Sequence, residues 1–256
     1  NPYFNCGSCY SCRRGFVNCC TDNQTMGVQR DGSFSEFITM PADRIFPGMG
    51  LDAKQLALIE PFSISYHAVS RTEIRPGDKV LVVGSGPIGL FALLSAKTRG
   101  AEVYCADLLD IRLRLAAEYG ADGGIDTKHK DLAEETERIT HGNGFDVCIE
   151  ACGLPETFLS CIDCVAFAGK IILIGNGKRD TTFNHSILLK KEINLFGSRN
   201  SYARDFTALI ELVSQGRADV MKMVSAVYPL TQAAEAFKAL AHNDGSLAKL
   251  LIEVSP

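Results

Sequence analysis

The chain has 256 residues and a formal net charge of −4, and 46% of its residues are hydrophobic while 22% are charged. This is the composition of an ordinary globular protein that is long enough for one large domain or two smaller ones. Lysine and arginine are spread thinly along the sequence, which excludes an electrostatic basis for binding nucleic acid or a membrane surface. No apolar run approaches the ~20 residues that a membrane-spanning helix requires.

The ten cysteines fall into two groups. Five lie within the first twenty residues, and the others are scattered through apolar segments. A metal site together with buried free thiols explains this distribution better than a disulfide framework does, and it indicates a reducing compartment. We therefore expect a cytoplasmic protein.

Four cysteines near the beginning of the sequence predict a zinc site. Cys6, Cys9, Cys12 and Cys20 follow the pattern C-x2-C-x2-C-x7-C, and four thiolates at this spacing can surround one tetrahedral Zn(II) in a closed, structural site. Cys19 satisfies the spacing equally well as the fourth ligand. An iron–sulfur cluster is the alternative, because the bacterial ferredoxin pattern also begins C-x2-C-x2-C. That pattern ends x3-C-P, which is absent here, so zinc is favoured.

The segment between this loop and the centre of the chain gives weaker signals. Residues 1–33 lack a sustained hydrophobic period and predict an irregular lobe, whereas Phe34–Met40 predicts a strand that Pro41 ends. His67 follows Glu60 by two helical turns, and we interpret it as a packed histidine rather than a metal ligand.

From Lys79 onward, short β-branched runs alternate with helical patterns and recur about every 23 residues, which is the length of a strand–helix–strand unit. The predicted strands are Lys79–Gly84, Glu102–Asp107, Gly123–Asp126, Phe145–Glu150, Lys170–Ile174 and Glu192–Gly197. Their fully apolar stretches are typical of strands buried on both faces. Six such strands with intervening helices predict an α/β fold with a doubly wound parallel sheet of the Rossmann type.

The remaining elements are predicted with less regularity. Helices are expected at Gly86–Arg99 and Asp110–Tyr119, inside the alternating region. After Gly197 the sequence predicts two helices and two strands, at Asp205–Gln215, Ser225–Tyr228, Thr231–His242 and Leu247–Val254.

A glycine-rich turn lies between the first predicted strand of the sheet and the helix after it. The residues Gly84, Gly86, Pro87, Ile88 and Gly89 lie in a G-x-G-x-x-G pattern. In this context the pattern indicates a dinucleotide site: one glycine permits the tight turn, one lets the backbone approach a pyrophosphate, and one allows close helix–strand packing. The helix N-terminus then offers N–H groups and partial positive charge to the phosphates.

An acidic residue at the end of the next strand indicates which dinucleotide is bound. Asp107 follows Gly84 by 23 residues, near the position at which a carboxylate binds the ribose hydroxyls of NAD. The same carboxylate would repel the 2′-phosphate of NADP, so NAD is favoured. The alternative is that Asp107 caps the following helix.

Several cysteines outside the zinc loop indicate neither a metal site nor a redox function. Cys161 and Cys164 have the spacing of a redox pair, but they fall on a predicted helix, where two small apolar side chains on one face are the better interpretation. Cys105, Cys148 and Cys152 lie in or after buried strands, and we expect them to be inert.

The order of these features resembles that of a known family. A four-cysteine lobe, the pair Glu60-Pro61 and a Gly-x-Gly-Pro-Ile-Gly turn follow one another as in the zinc-containing medium-chain dehydrogenases. The segment Leu58–Ser63 is similar to the polyol and sugar-acid branch, and Lys190–Asn200 is similar to bacterial hexonate 5-dehydrogenases. The resemblance covers essentially the whole chain and is more specific for the superfamily than for the substrate.

The resemblance implies roles for further residues. Glu60 matches a residue at the catalytic zinc of the family, either a ligand or a partner of the metal-bound water. The positions that match cofactor contacts are Ile88 and Arg112 beside the pyrophosphate and adenosine, and Ile174, Gly175, Ser198 and Arg199 in the two loops that flank the nicotinamide. In the implied reaction, zinc lowers the pKa of a substrate hydroxyl and hydride passes to NAD.

The resemblance also implies a domain organisation. It places an NAD-binding Rossmann domain at residues 65–200, inserted into a discontinuous, largely β catalytic domain (GroES-like in the family) made of residues 1–64, with the structural-zinc lobe, and 201–256. The family's first catalytic-zinc cysteine and the following Gly-His-Glu have no counterpart here. We therefore expect that the chain lacks part of the catalytic site and that it binds NAD without turning over substrate.

The function implied is that of a zinc-dependent oxidoreductase that transfers a hydride between a secondary alcohol of a polyol or sugar acid and NAD. The expected partners are this small-molecule substrate and further copies of the chain, in a dimer or tetramer. Two alternatives stay open: a non-catalytic NAD-binding module stabilised by zinc, and another alcohol dehydrogenase of the same superfamily, of the threonine or general alcohol type.

Overall fold

The computed structural model describes residues 1–254, and the chain divides into two compact units. One unit comprises Asn1–Ser63 together with the residues from Arg199 onward, and the other comprises Ile64–Ser198. None of the helices in residues 1–254 is both long enough and apolar enough to span a bilayer.

The strands, numbered in chain order, lie mostly in the second unit. They are β1 (Tyr3–Phe4), β2 (Gln24–Thr25), β3 (Lys79–Val83), β4 (Glu102–Asp107), β5 (Gly123–Asp126), β6 (Phe145–Glu150), β7 (Val165–Leu173), β8 (Asn194–Gly197), β9 (Val224–Pro229) and β10 (Lys249–Glu253).

The α-helices follow the same numbering. They are α1 (Tyr10–Arg13), α2 (Ala53–Ala57), α3 (Ile59–Ser70), α4 (Pro87–Lys97), α5 (Asp110–Glu118), α6 (Leu132–Thr140), α7 (Pro155–Cys164), α8 (Ser186–Lys191), α9 (Ala203–Ser214) and α10 (Ala233–Ala241).

The second unit is built on one six-stranded sheet in the order β5-β4-β3-β6-β7-β8, in which every neighbouring pair is parallel. The central strand β3 comes first in the sequence, and the chain adds strands on one side of it and then on the other. Val80, Leu81 and Val82 of this strand are completely buried, and each such side chain contributes about 1.5–3 kcal/mol through burial. The predicted doubly wound parallel sheet is confirmed.

Strands β3 and β7 each end one residue earlier than predicted, and two strands begin at other residues than predicted. Strand β7 begins at Val165 rather than Lys170, and β8 begins at Asn194 rather than Glu192. The first part of β7 contains Ala168 with φ +59°, and its register against β6 is irregular. Because a residue with positive φ interrupts regular pairing, the sequence pattern recognised only the regular end of this strand.

The first unit contains two small sheets. Strands β1 and β2 pair antiparallel, and β9 and β10 pair parallel. The predicted strand at Phe34–Met40 is wrong, because this segment has no regular structure and exposes 59% of Phe34 and 89% of Phe37. A strand needs a neighbouring chain for its backbone hydrogen bonds, and none of the described residues pairs with this segment as a strand.

Candidate functional site

The four predicted zinc ligands lie together in the first unit. The Sγ atoms of Cys6, Cys9, Cys12 and Cys20 all lie within 4.8 Å of one another, and that of Cys9 lies 4.0 Å from that of Cys20. Four sulfurs at ~2.3 Å from one tetrahedral zinc would be about 3.8 Å apart, so the donor set fits this ion. Cys19 lies outside the group, which leaves Cys20 as the fourth ligand of the proposed site.

Backbone and side-chain donors surround these sulfurs. The N–H of Cys9 donates to Cys6 Sγ at 3.3 Å, and the N–H groups of Cys6 and Asp22 donate to Cys20 Sγ at 3.3 and 3.4 Å. Such bonds stabilise thiolates. Hydrogen bonds from the backbone of Cys12 and Thr21 lower the pKa of Cys9 to about 5.

The pKa of Cys12 changes in the opposite direction. Burial, followed by the hydrogen bond to Cys9, raises it to about 11. One sulfur therefore favours the thiolate while its neighbour resists a second negative charge. A divalent cation would remove this conflict, because it attracts both charges.

The glycine-rich turn joins β3 to α4 in the second unit, and two of its glycines are required by neighbouring atoms of the protein. Gly84 has φ +96°, and a Cβ there would overlap Cys152 Sγ. A Cβ on Gly89 would overlap the carbonyl oxygen of Gly84 and lie 2.9 Å from its carbon. These two positions are closed to any side chain by the packing of the turn itself.

Gly86 differs from the other two. Its φ of −70° suits any residue, and apart from its chain neighbours no atom of the described chain lies within 4 Å of the place where its Cβ would be. The fold therefore gives no reason for glycine here, and the open space beside it suits a ligand that approaches the backbone. Because of this open space beside the backbone of Gly86, the turn fits a bound dinucleotide.

The helix after this turn presents a free N-terminus. Gly86 is the N-cap of α4, Pro87 is its first residue, and no side chain caps it. The side chain of Ile88 is half-buried, and its carbonyl accepts a hydrogen bond from Ser65 at 2.7 Å. An uncapped helix N-terminus has N–H groups and partial positive charge available for an anion.

Asp107, at the end of β4, is held against this turn. It is 8% exposed, and its carboxylate accepts hydrogen bonds from the N–H of Ser85 at 2.8 Å and from that of Leu109 at 3.0 Å. The guanidinium of Arg112 lies 3.7 Å away. Leu109, not Asp107, is the N-cap of α5, so Asp107 connects the turn with the loop that precedes this helix.

The residues predicted in the nicotinamide loops follow β7 and β8. The N–H groups of Ile174 and Gly175 donate to the backbone oxygen of Glu150 at 2.9 and 3.1 Å, and the N–H of Ser198 donates to Leu173. The hydroxyl oxygen of Ser198 is buried without a hydrogen-bond partner among residues 1–254. Arg199 is exposed.

Glu60, at the start of α3, forms a separate site in the first unit. Its Oε1 accepts a hydrogen bond from the hydroxyl of buried Tyr3, and burial together with the Glu60 charge raises the pKa of that hydroxyl. Burial lowers the pKa of Lys249 while the Glu60 charge opposes this shift, so an ammonium lies within electrostatic reach. Neither of these two neighbours of Glu60 can be recognised from the sequence pattern.

A cavity of about 750 Å³ lies beside Glu60. Its lining includes Thr25, Met26, Phe34 and Ile38. It is mostly apolar with one carboxylate on its wall, as many small-molecule sites are.

The other thiols are free and mostly buried. Cys105, Cys148, Cys161 and Cys164 are at most 1% exposed, and Cys161 and Cys164 lie on α7 as predicted. Cys152 differs, because the residue is exposed although it follows a buried strand and its Sγ lies 3.5 Å from the carbonyl oxygen of Val83. His67 is 5% exposed, as expected of a packed histidine.

Family models match both units of the chain. The model described as zinc-binding dehydrogenase matches residues 87–215, and the alcohol dehydrogenase GroES-like domain matches residues 1–50. The L-galactonate-5-dehydrogenase of Escherichia coli K12 is 34% identical over 98% of this chain and 74% of its own length. The chain belongs to the zinc-binding dehydrogenase family. The sorbitol dehydrogenase of Bacillus subtilis 168, with 32% identity over 98% of this chain and 72% of its own length, is a further relative.

Solved structures of zinc-binding dehydrogenases and related enzymes share the fold. A short chain alcohol dehydrogenase of E. coli CFT073, complexed with NADH, superposes with a TM-score of 0.93 at 29% identity, over 99% of this chain and 75% of that one. The L-idonate 5-dehydrogenase of E. coli K-12 MG1655 gives 0.84 at 28% identity, over 99% and 74%. A zinc-binding dehydrogenase of Sinorhizobium meliloti 1021 bound to NADP gives 0.92 at 26% identity, over 99% and 75%.

The resemblance to a zinc-containing dehydrogenase is therefore confirmed for the family. A catalytic zinc requires three protein ligands. In the described part of this zinc-binding dehydrogenase, the four-cysteine cluster is the only place where three or more histidine, cysteine or acidic groups converge. Glu60 lies outside this cluster, where it accepts the hydrogen bond from Tyr3 and lies within electrostatic reach of Lys249.

Proposed function

We propose that this chain serves the NAD-dependent oxidation of a secondary alcohol of a polyol or sugar acid. The observation that carries the proposal is the open space beside Gly86, where the packing of the protein gives no reason for a glycine. Asp107 lies against the same turn and provides a carboxylate at the end of the next strand. Nicotinamide supplies the hydride acceptor when it is bound.

The proposed roles of the residues follow from their positions. Gly86 and the N-terminus of α4 would receive the pyrophosphate, with Gly84, Pro87, Ile88 and Gly89 shaping the turn. Asp107 would accept hydrogen bonds from the adenosine ribose hydroxyls, and its charge disfavours a 2′-phosphate.

Residues farther along the sheet complete the proposed cofactor site. Arg112, at 3.7 Å from Asp107, would lie beside the adenosine phosphate. Ile174, Gly175, Ser198 and Arg199 would border the nicotinamide, and the unpartnered hydroxyl of Ser198 is available for a polar group.

The substrate class is proposed from the relatives and from the site at Glu60. The relatives include enzymes named for L-galactonate, sorbitol and L-idonate, which are all polyhydroxylated. The cavity beside Glu60 has about 750 Å³, which is ample for a six-carbon chain. Among the described residues, Glu60 alone would lie at a catalytic zinc.

Zinc in the cysteine loop would have a structural role. A closed four-thiolate site has no open position for a substrate, and its binding energy stabilises the fold directly. We also propose that Asn1–Ser63 and the residues from Arg199 onward form the catalytic domain and that Ile64–Ser198 binds NAD. A cytoplasmic homo-oligomer, dimer or tetramer, completes this proposal.

A second candidate is a non-catalytic NAD-binding module stabilised by zinc. The observation that favours it is the absence, among residues 1–254, of a second group of metal ligands around Glu60. Cofactor binding without turnover is the expected result for this candidate.

The test has two parts. Titration of NADH and NADPH into the protein should give a lower dissociation constant for NADH, and failure to bind either would refute the proposal. The protein with added zinc is then assayed with NAD and a panel of hexonates and polyols. Turnover of a hexonate or polyol would support the proposed oxidation, whereas NADH binding without turnover would favour the second candidate, the non-catalytic NAD-binding module.

A further inference from the structure

Glu150 is a buried carboxylate to which the sequence assigned no role. It ends β6, is 2% exposed, and its Oε1 accepts three hydrogen bonds. The N–H groups of Cys152 and Gly153 donate at 2.8 Å each, and the Thr157 hydroxyl donates at 2.7 Å. One oxygen atom thus holds the loop 151–154 and the first turn of α7.

The same residue holds a second loop through its backbone. Its carbonyl oxygen accepts the N–H groups of Ile174 and Gly175, at 2.9 and 3.1 Å. A Cβ on Gly175 would lie 2.6 Å from Glu150 Oε2, and a Cβ on Gly153 would lie 2.7 Å from the backbone nitrogen of Gly177. The loops 151–154 and 174–177 therefore pack backbone against backbone with no room for a side chain between them.

The first of these loops also contacts the glycine-rich turn. The N–H of Ala151 donates to the carbonyl of Val83 at 2.9 Å, and Cys152 Sγ lies 3.5 Å from the same oxygen. Val83 immediately precedes Gly84. A displacement of the loop 151–154 would therefore reach the turn directly.

The position of Glu150 is unusual for a purely structural carboxylate. Burying a charge is costly unless hydrogen bonds compensate it, and an amide or a hydroxyl could cap α7 at lower cost. The three donors lie instead in the loop and the first helical turn that follow the carboxyl end of β6, the neighbour of β3, and it is at this end that open α/β sheets bind their ligands. A carboxylate oxygen is the stronger acceptor and fixes three donors at once.

We infer that Glu150 is a positioning residue that sets the geometry of the cofactor-facing loops 151–154 and 174–177 and, through Val83, of the glycine-rich turn. This inference rests on the proposed function, since it is the binding of NAD that the loops serve. In this role Glu150 itself contacts no reacting atom.

The variants for the test are Glu150→Gln, Glu150→Asp and Thr157→Val. Gln keeps the acceptor oxygen without the charge, Asp shortens the side chain, and Val removes one donor. The matched control is Asp146→Asn at the other end of β6, where an exposed carboxylate accepts the N–H of Lys79 at 2.8 Å. The protein has no tryptophan, so NADH binding can be followed by nicotinamide fluorescence without indole emission.

The expected result is a rise of about tenfold in the NADH dissociation constant for Glu150→Gln and Glu150→Asp, a smaller rise for Thr157→Val, and no change for Asp146→Asn. All are measured at a temperature where each variant is folded by circular dichroism. Amide hydrogen exchange should accelerate in both loops of Glu150→Gln and not near Lys79.

Two outcomes would overturn the inference alone. If exchange accelerates in the loops while NADH affinity is unchanged, Glu150 has a structural role only and the proposed function stands. If exchange in the loops is unchanged, Glu150 does not hold them, whatever the affinity. Absence of NADH binding to the unaltered protein would instead refute the proposed function, and the inference with it.

Discussion

Replacement of Gly86 by alanine separates folding from cofactor binding. At Gly86 the new methyl group has no atom of the described chain within 4 Å apart from the neighbouring residues, and φ is −70°. At Gly89 the same change would place the methyl group on the Gly84 carbonyl. The two glycines, three residues apart, should therefore respond in opposite ways.

The magnitudes follow from these surroundings. Alanine at a compatible φ stabilises by about 0.4–1 kcal/mol through the unfolded state, and its disadvantage relative to glycine at an N-cap is on the order of 0.5–1 kcal/mol. For Gly86→Ala the two effects nearly cancel, so the free energy of unfolding should change by less than about 1 kcal/mol. For Gly89→Ala the backbone must shift, at a cost of about 3 kcal/mol or more.

The assay combines chemical denaturation with NADH titration. Gly86→Ala should unfold like the unaltered protein but bind NADH at least about tenfold more weakly, which is ~1.4 kcal/mol, because the methyl group occupies the space proposed for the pyrophosphate. Retention of full NADH affinity by Gly86→Ala would show that the cofactor does not approach this turn. Gly89→Ala controls for a general loss of structure.

Three further predictions concern other sites. Metal analysis should find about one zinc and no iron per chain, and Cys9→Ser should lose the zinc because it removes one of the four converging thiols. Iron in the protein, or full zinc content in Cys9→Ser, would contradict the assignment. Asp107→Ser should reduce the preference for NADH over NADPH, because the carboxylate is removed while Arg112 stays. If calorimetry gives an unchanged ratio of the two dissociation constants, Asp107 is not the cause of the preference. Ala168→Gly should raise the free energy of unfolding by about 0.5–1 kcal/mol, because Ala168 is exposed and has φ +59°. If denaturation shows a lower free energy of unfolding instead, the methyl group of Ala168 has a packing role.

The sheet could be predicted from the sequence because each strand carries its own signal. Strands buried on both faces must be apolar throughout, and the runs at Lys79–Val83 and Phe145–Glu150 satisfy this without reference to any partner. The cysteine loop is equally local, since spacing alone brings its ligands together. Spacing does not distinguish Cys20 from Cys19 as the fourth ligand, and the structure brings Cys20 to the other sulfurs.

The errors arose where structure depends on distant partners. Phe34–Met40 has the residues of a strand, but regular structure there needs a neighbouring backbone, and the described residues provide none. Glu150 was missed because a single carboxylate at a strand end has no sequence signature until its three donors are known. Tyr3 and Lys249 were missed for the same reason, because they meet Glu60 only in the fold.

The sulfur loop and the sheet also differ in how far along the chain their partners lie. All four sulfurs come from the stretch between Cys6 and Cys20. At the centre of the sheet, by contrast, β3 pairs with β6, so Val83 cannot pair until the chain has been synthesised as far as Glu150. Short loops close faster than long ones, and earlier segments leave the ribosome first. The loop should thus be able to capture its ion while the sheet is still being synthesised. A shortage of zinc would then act on newly made chains before it affected mature ones.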